Sequence, residues 1–276
     1  MPAPETYFKA SISTPDTATQ ESLIALLTEA GFDGFEQEGN LLTAYTGNKN
    51  HLAALEEICD VYTCPFHTEV LPVQNWNAVW ESNFQPVIIP GFCAVLAPFH
   101  AAQPAIPYEI RIMPKMSFGT GHHATTSMML ESLQDLDLDG KDVLDFGAGT
   151  GVLAILAKMR GAAQVTALDN DDWAFENCQE NVAANHTEVT VLQGSLERVA
   201  GHLFDIILAN INRHILLQYM QQMSEQLKPG GLLLLSGILA ADEKVITEAT
   251  LTAGLIFENK KEKNGWLCLC FRRPAA

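Results

Sequence analysis

Apolar and polar positions alternate in two different ways along the chain. From residue 6 to residue 71, short strand-like runs interleave with two helix-like segments, at about Asp16 to Ala30 and Lys49 to Asp60. The segments follow one another in the order βαββαβ, because strand-like runs come before, between and after the helices. This order predicts a small α+β module of the ferredoxin-like type, a fold that serves many functions.

Local signals support the boundaries of this module. Asp16 has the side chain of a helix N-cap, and Gly31 stands where a helix is expected to end. Gly39 and Asn40 form a hairpin-type dipeptide between two of the predicted strands. The first part of the chain is therefore expected to build a sheet of its own.

The second part of the chain shows a regular alternation of strands and helices. Strand-like runs at Gly91–Ala97 and Tyr108–Ile112 lead into it, and a predicted helix from Thr125 to Leu136 opens it. Strands alternating with helices predict a parallel, doubly wound α/β sheet, whereas the closely spaced last two strands predict an antiparallel edge hairpin. The strands of this sheet are predicted at Asp142–Phe146, Gln164–Asp169, Glu188–Gln193, Phe204–Ala209, Leu232–Ser236, Leu255–Lys260 and Trp266–Phe271.

The stretch between the two parts is rich in tryptophan and proline, with Trp76, Trp80, Pro86 and Pro90. This composition predicts a short helix and a connector that belongs to neither sheet. A chain of 276 residues, 47% of them hydrophobic, is long enough for one sizeable core and a smaller one. We therefore expect a ferredoxin-like domain over residues 1–72, a linker over 73–91 and a larger α/β domain over 92–276.

The formal charge of −17 bears on the partners of the chain. Nucleic acid is bound mainly by neutralising its phosphates with Lys and Arg, so direct nucleic-acid binding is not expected. A basic protein substrate would be attracted over a distance. The alternative is that the acidity only keeps the protein in solution.

The six cysteines are scattered and show no C-x-x-C spacing, so neither a metal site nor a redox pair is expected. They are typical of buried thiols in a reducing compartment. The first residues lack the pattern of a secretion signal, and no apolar run reaches about 18 residues. These features predict a cytoplasmic protein without a membrane partner, and they leave the oligomeric state open.

Three alternating glycines, Gly147, Gly149 and Gly151, stand between the first strand of the larger sheet and the next helix. Glycine permits left-handed turns and lets a ligand lie against the main chain, so this spacing predicts a nucleotide-cofactor loop. A purely structural turn is the alternative. A dinucleotide fingerprint would place its third glycine at position 152, which is Val152.

Polar residues follow the other strands at the edge where ligands bind in such sheets. Asp169 ends the second strand, 22 residues after Gly147, where its carboxylate can accept bonds from ribose hydroxyls or cap the next helix. Asn210 follows the fourth strand, where its oxygen can accept an N–H of an incoming amine or merely end the strand. Ser195 follows the third strand and receives no role.

The motif D-x-G-x-G-x-G at residues 145–151 resembles that of class I S-adenosylmethionine-dependent methyltransferases. The resemblance implies a mostly parallel seven-stranded sheet and S-adenosyl-L-methionine as cofactor, with its methionine portion at the glycine loop and helix N-terminus. Many amino-group methyltransferases carry Asn or Asp ahead of Pro-Pro-Tyr after the fourth strand. Here Asn210 is present, while both prolines and the aromatic residue are absent.

A second motif narrows the family. The segment Phe118–Thr126 reads FGTGHHATT, which by itself predicts either a loop that folds over the cofactor or a turn with a threonine cap. It closely resembles the signature of the PrmA family, the methyltransferases that modify large-subunit ribosomal protein eleven. DFGAGTG at 145–151, LANI at 208–211, LSGIL at 235–239 and the tryptophans of the linker extend the likeness, whereas Ala124 stands where proline is often found.

The family resemblance implies a protein N-methyltransferase that acts on lysine side chains, an N-terminal amine or both. It also implies that the N-terminal module recognises the ribosomal protein, although the module matches only in predicted topology and length. The implied cofactor contacts are Thr126, Gly147, Asp169 and Asn210, to which we add Phe118, Gly119, Gly149 and Gly151 from the two loops.

Methyl transfer to an amine requires a neutral amine aligned with the methyl group. A lysine with a pKa of about 10.4 is almost fully protonated at neutral pH, whereas an N-terminal amine with a pKa of about 7.7 to 8.0 is partly neutral. Desolvation beside a positive sulfonium lowers the pKa of the amine. His122 or His123 is an alternative proton acceptor, but we expect Asn210 to orient the amine without a dedicated base.

Two other functions stay open at the level of the sequence. The missing aromatic residue after Asn210 favours a methyltransferase that acts on another protein or a small amine. A catalytically idle, cofactor-binding protein that associates with the ribosome is the second alternative. The joint presence of Thr126, Asp169 and Asn210 argues against it, because an idle site need not keep all three.

Overall fold

The computed structural model describes residues 6–72, 83–115 and 117–275. The chain forms two compact units, Met1–Phe84 and Gln85–Ala276. Trp76 and Trp80, on which the predicted linker depends, lie outside the described residues.

The first unit contains a four-stranded sheet and two helices. Its sheet has the strand order β2-β3-β1-β4, and every neighbouring pair is antiparallel. This topology confirms the predicted ferredoxin-like module. The elements are β1 (Thr6–Ser13), α1 (Thr17–Glu29), β2 (Gly34–Glu38), β3 (Leu41–Thr46), α2 (His51–Val61) and β4 (Phe66–Pro72).

The core of this unit is built from one face of the sheet and the two helices. Ile12 and Leu42 pair across β1 and β3 and belong to the same buried cluster as Leu23 of α1 and Leu55 of α2. Successive strand residues point to opposite faces, which is why the residues of β1 and β3 that join this cluster stand at alternate positions. The module thus has a hydrophobic core of its own.

A small three-stranded sheet begins the second unit. Strand β5 (Val87–Ile89) pairs antiparallel with β6 (Cys93–Leu96), which pairs parallel with β7 (Tyr108–Arg111). Strand β5 falls inside the region predicted as a connector. Pro86 and Pro90 indicate an interruption, yet both flank the strand, where a missing N–H does not break the ladder.

The main sheet of the second unit has seven strands in the order β10-β9-β8-β11-β12-β14-β13. Strands β8 to β12 are mutually parallel, and only β14 runs against its neighbours β12 and β13. The strands are β8 (Asp142–Phe146), β9 (Gln164–Asp169), β10 (Thr190–Gln193), β11 (Phe204–Asn210), β12 (Leu227–Leu239), β13 (Ile256–Lys263) and β14 (Trp266–Arg272).

Helices cover both faces of this sheet, and two hydrophobic clusters lie on its two sides. The fold therefore confirms the predicted doubly wound α/β domain with an antiparallel edge hairpin. No helix in the described parts of the chain is long and apolar enough to cross a membrane. The helices are α3 (Ala124–Gln134), α4 (Val152–Met159), α5 (Asp172–Ala184), α6 (Arg213–Glu225) and α7 (Glu243–Thr252).

Strand β12 begins earlier than predicted. It starts at Leu227 rather than at Leu232, and within it Gly230 takes a left-handed φ of +78°, so the strand is interrupted locally after Pro229. Phe204 of β11 pairs with Leu227, and Ile206 pairs with Leu232. The additional residues of β12 between these two pairs form an irregularity in the strand pairing.

Candidate functional site

A cavity of about 780 Å³ lies at the carboxyl ends of the parallel strands. Strand order reverses between β8 and β11, and ligands bind in doubly wound sheets at such a switch point. The five strands β8 to β12 each contribute a lining residue close to their carboxyl end. These residues are Phe146, Asp169, Gly194, Asn210 and Gly237.

The glycine loop forms one wall of the cavity through Gly147 and Gly149. A Cβ at Gly147 would overlap the side chain of Ile211, and a Cβ at Gly149 would overlap the carbonyl oxygen of Phe118. Glycine is therefore required at both positions because a side chain would collide with neighbouring protein atoms, and a side chain there would also take up space in the cavity. The structural reading of the triplet is supported by these contacts, and the cofactor-loop reading stays a prediction.

The segment that begins at Phe118 lies directly against the glycine loop. The backbone N–H of Thr150 donates to the carbonyl oxygen of Phe118 at 3.0 Å, and the Thr150 hydroxyl donates to the carbonyl oxygen of Gly119 at 2.7 Å. Phe118 lines the cavity, and its side chain is 53% exposed. The two loops singled out by sequence thus meet at one site.

Helix α3 is capped by a histidine rather than by a threonine. Nδ1 of His123 lies 2.8 Å from the Thr125 hydroxyl and accepts the Thr125 N–H at 3.4 Å. The ring of His123 lines the cavity between those of Phe118 and Trp266, with centroids 5.3 and 4.8 Å away. Its Nδ1 lone pair is used by the cap, so this atom is not available as a proton acceptor.

His122 is held away from the cavity lining. Its Nε2 donates to the carbonyl oxygen of Gln85 at 2.8 Å, and its Nδ1 lies 3.1 Å from the Thr120 hydroxyl. A carbonyl oxygen can only accept, so Nε2 carries the proton. Both nitrogens of His122 are therefore engaged in structural hydrogen bonds.

Asp169 reaches the cavity from the end of β9. One carboxylate oxygen accepts the Gly149 N–H at 2.8 Å, and the other accepts the Asp171 N–H at 3.1 Å. The N-cap of α5 is Asp171, whose side chain accepts the Ala174 N–H at 2.9 Å. Capping of the helix therefore does not explain Asp169, whose carboxylate lies at the glycine loop.

Asn210 ends strand β11 and lines the cavity. Its Nδ2 donates to the hydroxyl oxygen of Thr126 at 3.2 Å, and Thr126 is 1% exposed. Its Oδ1 is buried without a hydrogen-bond partner among the described residues. A buried acceptor left unpaired costs about 1 to 3 kcal/mol, so a bound group with an N–H would be favoured here.

Three predicted contacts, all at described positions, stand outside the cavity lining: Gly119, Thr126 and Gly151. Thr126 supports Asn210, and Gly119 accepts the bond from Thr150. Gly151 is the N-cap of α4, where a Cβ would come within 2.6 Å of the Cys178 sulfur. Thr126 thus contacts a residue that lines the cavity, whereas Gly119 and Gly151 lie against Thr150 and Cys178, which do not line it.

A buried acid, Asp145, was not predicted as a functional residue. It is 1% exposed and accepts the Ala154 N–H in the first turn of α4 at 3.1 Å. Burial raises the pKa of its carboxyl to about 7, and the negative charge of Asp169 adds to the rise. The Ala154 bond therefore uses one of the helix-terminal N–H groups that sequence alone assigned to the cofactor.

Trp266 is a second residue that sequence reasoning missed. It begins β14 and pairs with Leu239 at the end of β12. Because β14 runs antiparallel, its first residue lies at the same edge as the last residues of the parallel strands. The predicted hairpin topology contained this signal, because it places the start of the final strand beside the ligand edge.

Comparison with known proteins supports one family. The family model described as ribosomal protein L11 methyltransferase (PrmA) matches residues 10–274. The ribosomal protein L11 methyltransferase of Porphyromonas gingivalis is 43% identical over 270 residues, which cover 93% of each chain. That of Phocaeicola vulgatus is 39% identical over 276 residues, covering 96% of this chain and 98% of its own.

A solved structure agrees with these sequence relatives. The crystal structure of ribosomal protein L11 methylase from Lactobacillus delbrueckii subsp. bulgaricus superposes with a TM-score of 0.65 at 27% identity. It covers 69% of this chain and 100% of that one. The family match extends over both units, including the N-terminal module, which sequence motifs alone did not connect to the family. This chain therefore belongs to the ribosomal protein L11 methyltransferase (PrmA) family.

Proposed function

We propose that this chain transfers methyl groups from S-adenosyl-L-methionine to amino groups of ribosomal protein L11, on lysine side chains, the N-terminal amine or both. The observation that carries the proposal is Asn210, which lines the cavity and whose side-chain oxygen is buried and unpaired among the described residues. A carboxamide oxygen at this place suits a neutral amine, because it accepts an N–H and orients the nitrogen lone pair. The names of the relatives supply the substrate class.

The cofactor fits the residues around the cavity. Asp169 offers a carboxylate for ribose hydroxyls, while Phe118, Gly147 and Gly149 offer main chain against which a ligand can lie. Gly119, Thr126 and Gly151 would hold these groups in place from outside the lining. S-adenosyl-L-methionine, when bound, supplies a methyl group on a positively charged sulfonium.

The protein itself has to deliver a neutral, aligned amine. The rings of Phe118, His123 and Trp266 line one part of the cavity, where they would shield a bound amine from water. Loss of water disfavours the charged ammonium form and lowers the pKa of the amine. His122 and His123 are engaged in structural hydrogen bonds, which favours orientation by Asn210 over a dedicated base.

The N-terminal module is proposed to recognise the ribosomal protein. Residues 1–84 contain two lysines, no arginine and twelve Asp or Glu residues, a net charge of −10 out of −17 for the chain. A ribosomal protein that binds RNA carries Lys and Arg to neutralise phosphates, so the acidic module complements it. We propose a cytoplasmic enzyme with no direct nucleic-acid or membrane partner, consistent with six buried cysteines that form no disulfide.

Calorimetry tests the cofactor. The wild-type protein should bind S-adenosyl-L-methionine and show no binding of NAD under the same conditions. Replacing Asp169 by alanine should weaken binding about 10-fold or more, because charge-assisted hydrogen bonds contribute about 1.5 to 3 kcal/mol. Preference of the wild type for NAD would overturn the proposal.

Mass spectrometry tests the substrate. L11 from cells that lack this protein should be lighter than normal by multiples of one methyl group, and the purified enzyme should restore the mass. An Asn210→Ala variant should bind the cofactor but restore the mass slowly. Unchanged mass of L11 in the deletion strain would contradict the substrate assignment.

A second candidate is methylation of another protein or a small amine, which the absence of Pro-Pro-Tyr after Asn210 favours. Exchange of the N-terminal module with that of an established relative separates the two. If L11 is the substrate, the chimera should retain L11 activity. If the module selects a different partner, L11 methylation should appear only after the exchange.

A further inference from the structure

Thr150 makes three hydrogen bonds, two of which connect the two loops of the site. Its N–H and its hydroxyl donate to the carbonyl oxygens of Phe118 and Gly119, at 3.0 and 2.7 Å. Its own carbonyl oxygen accepts the side-chain Nδ2 of Asn181 of helix α5 at 2.9 Å. Thr150 is 0% exposed and does not line the cavity, so its hydroxyl acts on protein atoms only.

Asn181 carries the connection back to the segment that precedes Phe118. Its Oδ1 accepts the backbone N–H of Met113 at 2.9 Å, and its side chain is 1% exposed. The side-chain amide of Asn181 therefore bonds the glycine loop through its nitrogen. Through its oxygen it bonds Met113, which precedes the loop that begins at Phe118, called the Phe118 loop below. Thr150 of the glycine loop is therefore hydrogen-bonded to Phe118 and to Asn181, and Asn181 is hydrogen-bonded to Met113, five residues before Phe118 in the chain.

We propose that Thr150 and Asn181 are positioning residues for the cofactor, because they fix the spacing between the glycine loop and the Phe118 loop before binding. The inference rests on the proposed function, in which both loops hold S-adenosyl-L-methionine. Binding is tighter when the loops that form the site are already ordered, since less freedom is lost. A threonine hydroxyl that contacts only protein atoms affects affinity through this ordering.

The neighbouring glycine supports the same assignment. A Cβ at Gly119 would lie 2.7 Å from the Thr150 hydroxyl oxygen, the same atom that donates to the Gly119 carbonyl. The short contact leaves no room for a side chain at position 119. Gly119, which does not line the cavity, is thus required by the connection between the loops.

The first test compares Thr150→Val with Thr150→Ser. Valine keeps the shape and loses the hydroxyl, whereas serine keeps the hydroxyl. Thr250 of helix α7 is the matched control, because it is also 0% exposed and donates to backbone carbonyls, at 3.1 Å to Ile246 and 2.8 Å to Thr247. Thr250→Val should lower thermal stability and leave cofactor affinity unchanged.

Calorimetry with S-adenosyl-L-methionine and steady-state kinetics supply the readouts. Thr150→Val should weaken the Kd about 10-fold and raise KM for the cofactor more than it lowers kcat, because one hydrogen bond between the loops is lost. Thr150→Ser should stay within about 2-fold of wild type. A Thr150→Val Kd equal to that of wild type, with stability lowered as in Thr250→Val, would overturn the inference.

A second pair of variants covers the case in which Thr150→Val does not fold. Asn181→Asp keeps an oxygen for the Met113 N–H and loses the donor to Thr150. The control is Asn185→Asp at the C-cap of the same helix. Asn185 accepts the Arg111 N–H at 2.7 Å and donates to the backbone carbonyl oxygens of Arg111 at 2.6 Å and Asn181 at 2.7 Å, and its side chain does not bond the glycine loop.

Asn181→Asp should weaken cofactor binding about 10-fold, whereas Asn185→Asp should stay within about 2-fold of wild type. Equal affinities of the two variants would overturn the inference and leave the proposed function intact. Failure of the wild type to bind S-adenosyl-L-methionine would overturn both.

Discussion

At the scale of single residues, Asn210 lines the cavity, and Thr126 holds the side chain of Asn210 in place. Thr126 accepts a hydrogen bond from the Asn210 nitrogen at 3.2 Å, and the Asn210 oxygen is buried without a partner among the described residues. Sequence motifs placed both residues in the site but not their contact, because 84 positions separate them. The structure therefore shows that Thr126 supports Asn210 through a hydrogen bond, which its motif alone does not specify.

This arrangement predicts the effect of changing Thr126. Thr126→Val removes the acceptor that orients Asn210, and we expect kcat to fall about 10-fold, because small misplacements of a reacting group are costly. Thr126→Ser keeps the acceptor and should stay near wild type in a methyl-transfer assay. A loss in cofactor affinity that exceeds the loss in kcat would instead place Thr126 in direct contact with the cofactor.

Asp145 predicts a pH dependence of stability. Burial raises the pKa of its carboxyl in the folded protein to about 7, against about 3.9 in an unfolded chain. Between these values the folded state holds a proton that the unfolded state releases, so stability is highest at low pH and falls as pH rises toward 7. The slope is at most about 1.4 kcal/mol per pH unit.

Asn at position 145 carries no such proton. Urea unfolding at about pH 5 and about pH 8 should therefore show a smaller loss of stability in Asp145→Asn than in wild type over this interval. Asp60→Asn, at an exposed position of the other unit, is the control and should follow the wild type. Identical pH dependence in wild type and Asp145→Asn would show that the Asp145 pKa is not raised.

At the scale of elements, boundaries set by local chemistry were predicted and those set by distant partners were not. Asp16 caps α1 by accepting the Thr19 N–H at 2.7 Å, as its residue type predicts. Strand β5 and the early start of β12 were missed, since each depends on pairing with a neighbouring strand. The periodicity of apolar residues reports which side chains are buried, but it does not show whether a neighbouring strand is present to pair with.

The glycine loop predicts a difference between two glycines of similar conformation. Gly149 and Gly140 have φ values of +56° and +69°, yet a Cβ at Gly149 would overlap the Phe118 carbonyl, whereas nothing lies within 4 Å of a Cβ at Gly140. Gly140→Ala should cost about 1 to 3 kcal/mol for the left-handed backbone alone. Gly149→Ala should cost more and also weaken cofactor binding.

Thermal unfolding and calorimetry measure both effects. Cofactor affinity should be unchanged in Gly140→Ala and at least about 10-fold lower in Gly149→Ala, because the added methyl group separates the two loops. Equal behaviour of the two variants would mean that the Phe118 loop yields without affecting the site.

At the scale of the whole molecule, charge is divided unequally between the two units. The first 84 residues carry −10 of the total −17, although they form less than a third of the chain. Attraction between this module and a basic protein is screened by salt. A rise from about 0.05 M to about 0.5 M KCl should therefore raise KM for L11 about 10-fold.

The same change in salt should leave KM for the cofactor within about 2-fold, since the cofactor cavity belongs to the less charged unit. A charge-reduced module, with several exposed glutamates replaced by glutamine, should show a weaker salt dependence. Equal salt dependence for both substrates would argue against electrostatic recognition by the module.

The sequence by itself determined the class of each unit, the order of strands and helices, and the residues Phe118, Gly147, Gly149, Asp169 and Asn210 that line the cavity. These follow from side-chain periodicity and from short motifs, which are local properties of the chain. Motif residues at strand ends were predicted to converge because parallel strands share one ligand-binding edge.

Only the tertiary structure decided how those residues are supported. Thr150 meets Gly119 across 31 positions, Thr126 meets Asn210 across 84, and Trp266 reaches the cavity from the last strand. Such contacts depend on the packing of loops from distant parts of the chain, which no local pattern encodes. The motifs identified the groups that face the cavity, and the fold decided which buried partners hold them there.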